Sequence, residues 1–260
     1  REVMNSNLRI VNFGNMIKKA IVLFIAAILF SMPGKSQIVP WYFEVDENFL
    51  LGKIDFAKDG RFNLVATNRS TKSCYLLVEV NWAFEQMAAA AEKEGIVLKV
   101  ISGGRNFNMQ KAIWEKKWNA RRPNFKSDKE TALDILKYSS MPGTSRHHWG
   151  TDLDINSLEP SYFASGKGKK EYDWLQKNAA RFGFCQTYDN KSNSGRSGYS
   201  EEKWHYSYMP ISTVLLNQYN AKIGSEKING FAGCQTAKEV EMIRDYVNGI
   251  AAGCNTLTFP

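Results

Sequence analysis

Three histidines, His147, His148 and His205, are the only ones in a chain of 260 residues, and all of them fall in two acid-rich segments. The first segment reads Ser145-Arg-His147-His-Trp-Gly150-Thr-Asp152-Leu-Asp154, and the second reads Glu202-Lys-Trp-His205. Imidazole nitrogen and carboxylate oxygen are zinc donors, and a catalytic zinc site uses three protein ligands with a fourth position left for water. Two His and one Asp meet that count. A carboxylate that does not bind the metal can take a proton from water and deliver it to a leaving amine. Glu202, three residues before His205, is placed for that work. A single histidine in such a place would be an ordinary polar residue at a loop or strand end; three gathered into two such motifs argue for a site.

His147 and Asp154 are seven residues apart, so on one flat strand they would point to opposite faces. Convergence requires a bend, and Gly150 is where the chain can supply it. The elements that must hold this arrangement are legible in outline. Phe84, Met87, Ala88 and Ala91 follow helical spacing up to Gly95, and Ile96–Ile101 reads as a buried strand running into a turn at Gly103-Gly-Arg105. Helices are expected over Gln110–Trp118, Asp128–Tyr138 and Tyr172–Phe182. Trp149–Ile155 reads as a strand with Thr151, Leu153 and Ile155 on one face and Asp152 and Asp154 on the other. Polar loops are expected over Asn156–Lys170 and Asp189–Ser200. Thr236-Ala-Lys-Glu239 reads as a capping box ahead of a last helix carrying Val240, Ile243, Val247 and Ile250. No repeat or Pro/Ser-rich linker divides the chain, so the fold class expected is α+β in a single domain: a small antiparallel sheet flanked by helices.

The first histidine segment resembles the S-x-H-x-x-G-x-A-x-D motif of the LAS zinc metallopeptidases, in particular D-alanyl-D-alanine carboxypeptidases of the VanY type. The second resembles that family's E-x-W-H motif. Position by position, the resemblance implies that His147, Asp154 and His205 bind one Zn2+ and that Glu202 is the catalytic base. Asp152 stands where the motif usually has Ala, and His148 matches a variable position. Ile101-Ser-Gly-Gly-Arg105 followed by Gln110 resembles the family's S-G-Y-R…Q segment, with Gly104 in place of the usual aromatic. Arg105 is thereby expected to stabilise the developing oxyanion or hold substrate, and a guanidinium suits that task because it is always charged. Gln110 and Ser145 are expected to help bind substrate. Trp149 and Trp204 flank the ligands and either wall the site or pack in the core. The resemblance spans about residues 47–250 and implies the LAS fold and the release of terminal D-alanine from peptidoglycan stem peptides. An endopeptidase cutting elsewhere in those peptides would share the zinc core. A non-catalytic, zinc-containing wall-binding domain would have no need of a free acid such as Glu202.

Composition is compatible with export. Lys18 and Lys19 after Met16, the apolar run Ala20–Phe30, and Ser31, Gly34 and Ser36 have the form of a signal peptide over residues 16–36. Residues 1–15 read as an upstream extension, and the domain is expected over 37–260. Eleven apolar residues fall short of the ~20 that span a bilayer as a helix. The formal charge of +8 drops to +4 for residues 37–260, with 29 basic and 25 acidic side chains. That mild excess suits approach to an anionic polymer and lacks the basic stripe of a nucleic-acid binder. Lys167, Lys169 and Lys170 read as a solvated loop. Four cysteines, Cys74, Cys185, Cys234 and Cys254, allow up to two disulfides in an oxidising compartment such as the periplasm or cell envelope.

Overall fold

A computed structural model describes residues 40–255, which from Trp41 onward belong to one compact unit. The extension and signal peptide expected over residues 1–36 lie outside the described residues. In chain order the elements are α1 (Glu47–Leu50), β1 (Phe62–Leu64), β2 (Tyr75–Leu77), α2 (Val78–Lys93), β3 (Val100–Ser102), α3 (Phe107–Arg121), α4 (Asp128–Ile135), β4 (Asp152–Ile155), α5 (Gly166–Asn178), β5 (Phe184–Gln186), α6 (Lys191–Ser194), β6 (His205–Tyr208) and α7 (Met209–Lys222). Helices and short antiparallel strands mix without regular alternation, as the α+β expectation requires.

The helices form where apolar residues recur on one face. In α2 the buried stripe is Val80, Phe84, Met87, Ala88 and Ala91, and Gly95, at φ +73°, follows its end. Helix α3 begins where the Asn106 side chain accepts the Met109 amide. It buries Gln110, Trp114 and Trp118, one turn apart. Helix α4 opens on a capping box: Ser127 accepts the Glu130 amide, and the Glu130 carboxylate accepts the Ser127 amide.

The sheet that carries the site has strand order β3-β4-β6-β5 and is antiparallel throughout. Its register sets Ser102 beside Asp154 and Asp154 beside His205, a row across three neighbouring strands. Asp152 stands opposite Ser207. All four residues of β4 are buried; alternation sends Leu153 and Ile155 into the apolar core and Asp152 and Asp154 to the other face. A separate antiparallel pair, β1 and β2, lies outside this sheet.

Several expectations are corrected. The strand expected over 96–101 is confined to Val100–Ser102, and that over 149–155 begins only at Asp152, because Trp149 closes a 3-10 turn, Arg146–Trp149. The segment expected as a loop to Lys170 contains a 3-10 turn, Pro160–Ala164, and then enters α5 at Gly166. Lys167 and Lys169 therefore lie on a helix, paired with Glu171 and Asp173 one turn on, at 3.5 and 2.6 Å. Among the described residues the final α-helix is absent: Thr236 turns its hydroxyl back to the Gly233 carbonyl, Glu241 takes φ +51°, and a π-helical turn, Met242–Val247, and a 3-10 turn, Ala252–Asn255, follow. A left-handed residue interrupts the run of αR dihedrals that an α-helix needs. Among the described cysteines, Cys185 and Cys254 form one disulfide with a Cα–Cα distance of 5.5 Å, and Cys74 and Cys234 are free.

Candidate metal centre

The bend required between His147 and Asp154 is at Gly150, whose φ of +67° is left-handed and ends the 3-10 turn. Its missing side chain matters twice, because a Cβ there would stand 2.4 Å from the Phe62 ring. Gly150→Ala is accordingly expected to destabilise the protein by about 2 kcal/mol or more, read as a lower midpoint of chemical denaturation. An unchanged midpoint would contradict this account of the turn.

The turn is laced to the segment after β3. The Arg105 amide donates to the His147 carbonyl at 3.0 Å, and His147 Nδ1–H donates to the Gly103 carbonyl at 2.8 Å. His148 Nε2 accepts the Gly143 amide at 2.9 Å, so its Nδ1 carries the proton and donates to the Arg105 carbonyl at 2.6 Å. Burial pushes the His148 pKa down to about 3, which keeps this ring neutral. His148 is thus no ligand; it holds in place the backbone that bears Arg105. Gly104 has its explanation here too. A Cβ at 104 would meet the Tyr75 carbonyl at 3.0 Å and the Phe56 ring at 3.1 Å, so Phe56 fills the space near a side chain at that position.

His147, Asp154 and His205 converge, with one donor atom from each all within 4.8 Å of one another. His205 Nδ1 lies 3.0 Å from Asp154 Oδ1, and His147 Nε2 lies 3.4 Å from Asp154 Oδ2. Because Nδ1 of His147 is engaged by Gly103, Nε2 is left as a buried lone pair with no hydrogen-bond partner. An orphaned imidazole nitrogen facing a carboxylate and a second imidazole fits a zinc ion. Burial and the Arg105 charge lower the His147 pKa, with Asp154 opposing them. Burial would lower His205 as well, but hydrogen bonds to Asp152 and Asp154 raise it to about 9. Burial acts to raise both aspartates, and the charges of Arg146 and His205 on Asp152, and of His147 and His205 on Asp154, hold them below the ordinary carboxylate range.

Glu202 reaches the same place from the turn before β6. Its amide donates to the Tyr188 carbonyl at 2.8 Å, and its Oε2 stands 3.6 Å from His205 Nδ1. Burial raises its pKa to about 7, with Asp154 acting in the same sense and His205, Arg105 and Arg196 opposing. Upstream of it, Arg196 staples the polar 189–200 segment through the Asp189 carboxylate and the carbonyls of Asp189, Tyr199 and Ser200.

A cavity of about 460 Å³ opens on these groups and includes Arg105, Lys117, Ser145 and Trp204 in its walls. The half-buried Arg105 guanidinium has no protein hydrogen-bond partner among the described residues, and its Nε is buried. Gln110 is outside this lining: it is fully buried on α3 and donates to the Ser140 carbonyl at 2.7 Å, bracing a residue of the wall. Trp204 lines the cavity, whereas Trp149 is a core residue donating to the Leu50 carbonyl at 3.0 Å. Lys117 was not anticipated. It lies one turn beyond Ile113 on the cavity face of α3, and its ammonium donates to Ser139 Oγ. Burial, with the Arg121 and Arg105 charges, lowers its pKa.

The profile of the VanY family, D-alanyl-D-alanine carboxypeptidase, matches residues 73–211. The chain is 28% identical over 152 residues to the D-alanyl-D-alanine carboxypeptidase of Enterococcus faecalis, covering 58% of this chain and 55% of that protein. It is 30% identical over 152 residues to the putative carboxypeptidase YodJ of Bacillus subtilis, covering 56% and 50% respectively. The chain therefore spans about half the length of these curated relatives. Among solved structures, VanYB in complex with D-alanine-D-alanine aligns at 24% identity with a TM-score of 0.46, covering 64% of this chain and 88% of that one.

Proposed function

The chain belongs to the VanY D-alanyl-D-alanine carboxypeptidase family, and from that premise we propose that it is an exported, zinc-dependent carboxypeptidase removing the terminal D-alanine from peptidoglycan stem peptides. One observation carries the reading: a three-donor set suited to zinc shares a cavity with a buried glutamate and a guanidinium that no protein group occupies. His147, Asp154 and His205 would hold a single ion. Zinc supplies Lewis-acid polarisation of the scissile carbonyl and lowers the pKa of water.

The rest of the chemistry belongs to this chain's own side chains. Glu202 takes the proton of the attacking water as its oxygen adds to the carbonyl carbon, then gives a proton to the amine nitrogen as the C–N bond breaks. Arg105 offsets the negative charge that develops on the carbonyl oxygen. A carboxypeptidase also needs a cation for the terminal carboxylate. Lys117 supports this role, because among the described residues no carboxylate pairs with it and Ser139 and Ser145 stand in the same cavity. Gln110 acts by bracing Ser140.

Export rests on the basic-then-apolar pattern of residues 16–36 and on the Cys185–Cys254 disulfide, which suits an oxidising compartment. Among the described residues no helix is long and apolar enough to cross a membrane. The test is to incubate the protein, with and without zinc, with pentapeptide muropeptides and follow products by mass spectrometry. Loss of one alanine is expected. Internal cleavage would instead indicate an endopeptidase, and an unchanged substrate would indicate a wall-binding domain.

A further inference from the structure

His205 lies between two carboxylates. Its Nδ1 meets Asp154 Oδ1 at 3.0 Å, and its Nε2 meets Asp152 Oδ2 at 2.9 Å. The sheet register makes this possible. Asp152 and Asp154 share one face of β4, and the paired residues on β6 are Ser207 and His205, so the imidazole spans two successive cross-strand positions. Asp152 is fully buried and saturated with donors: Thr151 Oγ1 at 2.7 Å, Arg146 Nε at 3.1 Å, the Ser207 hydroxyl and His205. Arg146 is buried as well, with its guanidinium 5.0 Å from the Trp149 ring and Nη1 and Nη2 unpartnered.

A buried ion pair of this kind needs a reason other than stability. The cost of taking two charges out of water commonly equals or exceeds their attraction, so apolar replacements of similar volume are often neutral or stabilising. Placement supplies the reason. A histidine that ligates through Nδ1 must carry its proton on Nε2, and in a buried site that proton needs an acceptor. The family motif usually has Ala at this position, and Ala offers none.

We infer that Asp152, with Arg146 as its buried counter-ion, is a positioning residue that takes the Nε2–H of His205 and so presents Nδ1 to the metal. The inference rests on the reading of His205 as a zinc ligand.

The test compares zinc affinity, by chelator competition, in the wild type, in Arg146→Met/Asp152→Ala and in His205→Ala, together with the thermal midpoint of each metal-free protein. The double variant is expected to bind zinc about 10–100-fold more weakly, a loss read beside its own metal-free midpoint. A folded double variant with wild-type zinc affinity would overturn the inference. Should that variant fail to fold, long-range ¹H–¹⁵N spectra of the zinc-loaded wild type decide. A His205 proton on Nε2 supports the assignment, and a proton on Nδ1 overturns it. If His205→Ala leaves zinc affinity intact, the metal site itself has been misread, and this inference falls with it.

Discussion

Glu202→Gln is expected to lower kcat by about 10²–10⁴-fold, the usual contribution of a positioned proton-transfer group, without loss of zinc binding. Gln keeps the shape and the backbone bond to Tyr188 but can neither take a proton from water nor return one to the amine. The buried carboxyl has its pKa raised to about 7, and it must be ionised to act as base. Activity should therefore fall as pH drops through a limb at or below that value, since a bound cation favours the carboxylate. Rate measurements across pH 5–8 check this. Undiminished turnover in Glu202→Gln would remove the residue from the mechanism.

The second large effect concerns the metal. Replacing Asp154 by Ala deletes the donor that both histidines face, and zinc affinity should fall by more than the ~10–100-fold that loss of an outer hydrogen bond costs. Loading also carries a proton signature. Without metal, Asp152 and Asp154 raise the His205 pKa to about 9, so at neutral pH its Nδ1 must give up a proton to become a ligand. Calorimetric titration of zinc into metal-free protein should show heats that scale with buffer ionisation enthalpy, with about one proton contributed by His205 and a further fraction by Glu202 near neutral pH. Identical heats in every buffer would contradict the raised pKa.

How much of this was legible beforehand differs from residue to residue. The candidate zinc donors were legible through the likeness of their two segments to the family motifs, and Gly150 was the one residue between His147 and Asp154 able to turn left-handed without strain. The role of Asp152 was not. Residues 152 and 154 share a strand face, and only pairing with Ser207 and His205 shows which carboxylate meets which ring nitrogen. The capping signal is equally instructive. Ser127 and Glu130 realise it, while Thr236 and Glu239 have the same spacing but a hydroxyl turned back to Gly233 and a left-handed Glu241 close behind. Local spacing proposes a cap, and tertiary surroundings decide it. Lys117 was not legible because its place in the cavity wall and its relation to Arg105 depend on how α3 packs. The disulfide partner of Cys185 likewise depends on where the chain's last segment returns.

That returning segment bears on how a peptide can be received. The sheet's outer strands are β3 and β5. Along β3, Val100 already exchanges both backbone groups with Arg69 and Thr71. Just past β5, the Thr187 carbonyl accepts the Ala251 amide, and Cys254 ties that strap covalently to Cys185. At Val100 and Thr187 an incoming chain thus meets backbone groups that are already engaged, which leaves less ladder there for strand addition. On the proposed function, discrimination among wall peptides would fall instead to the side chains that converge on one cavity.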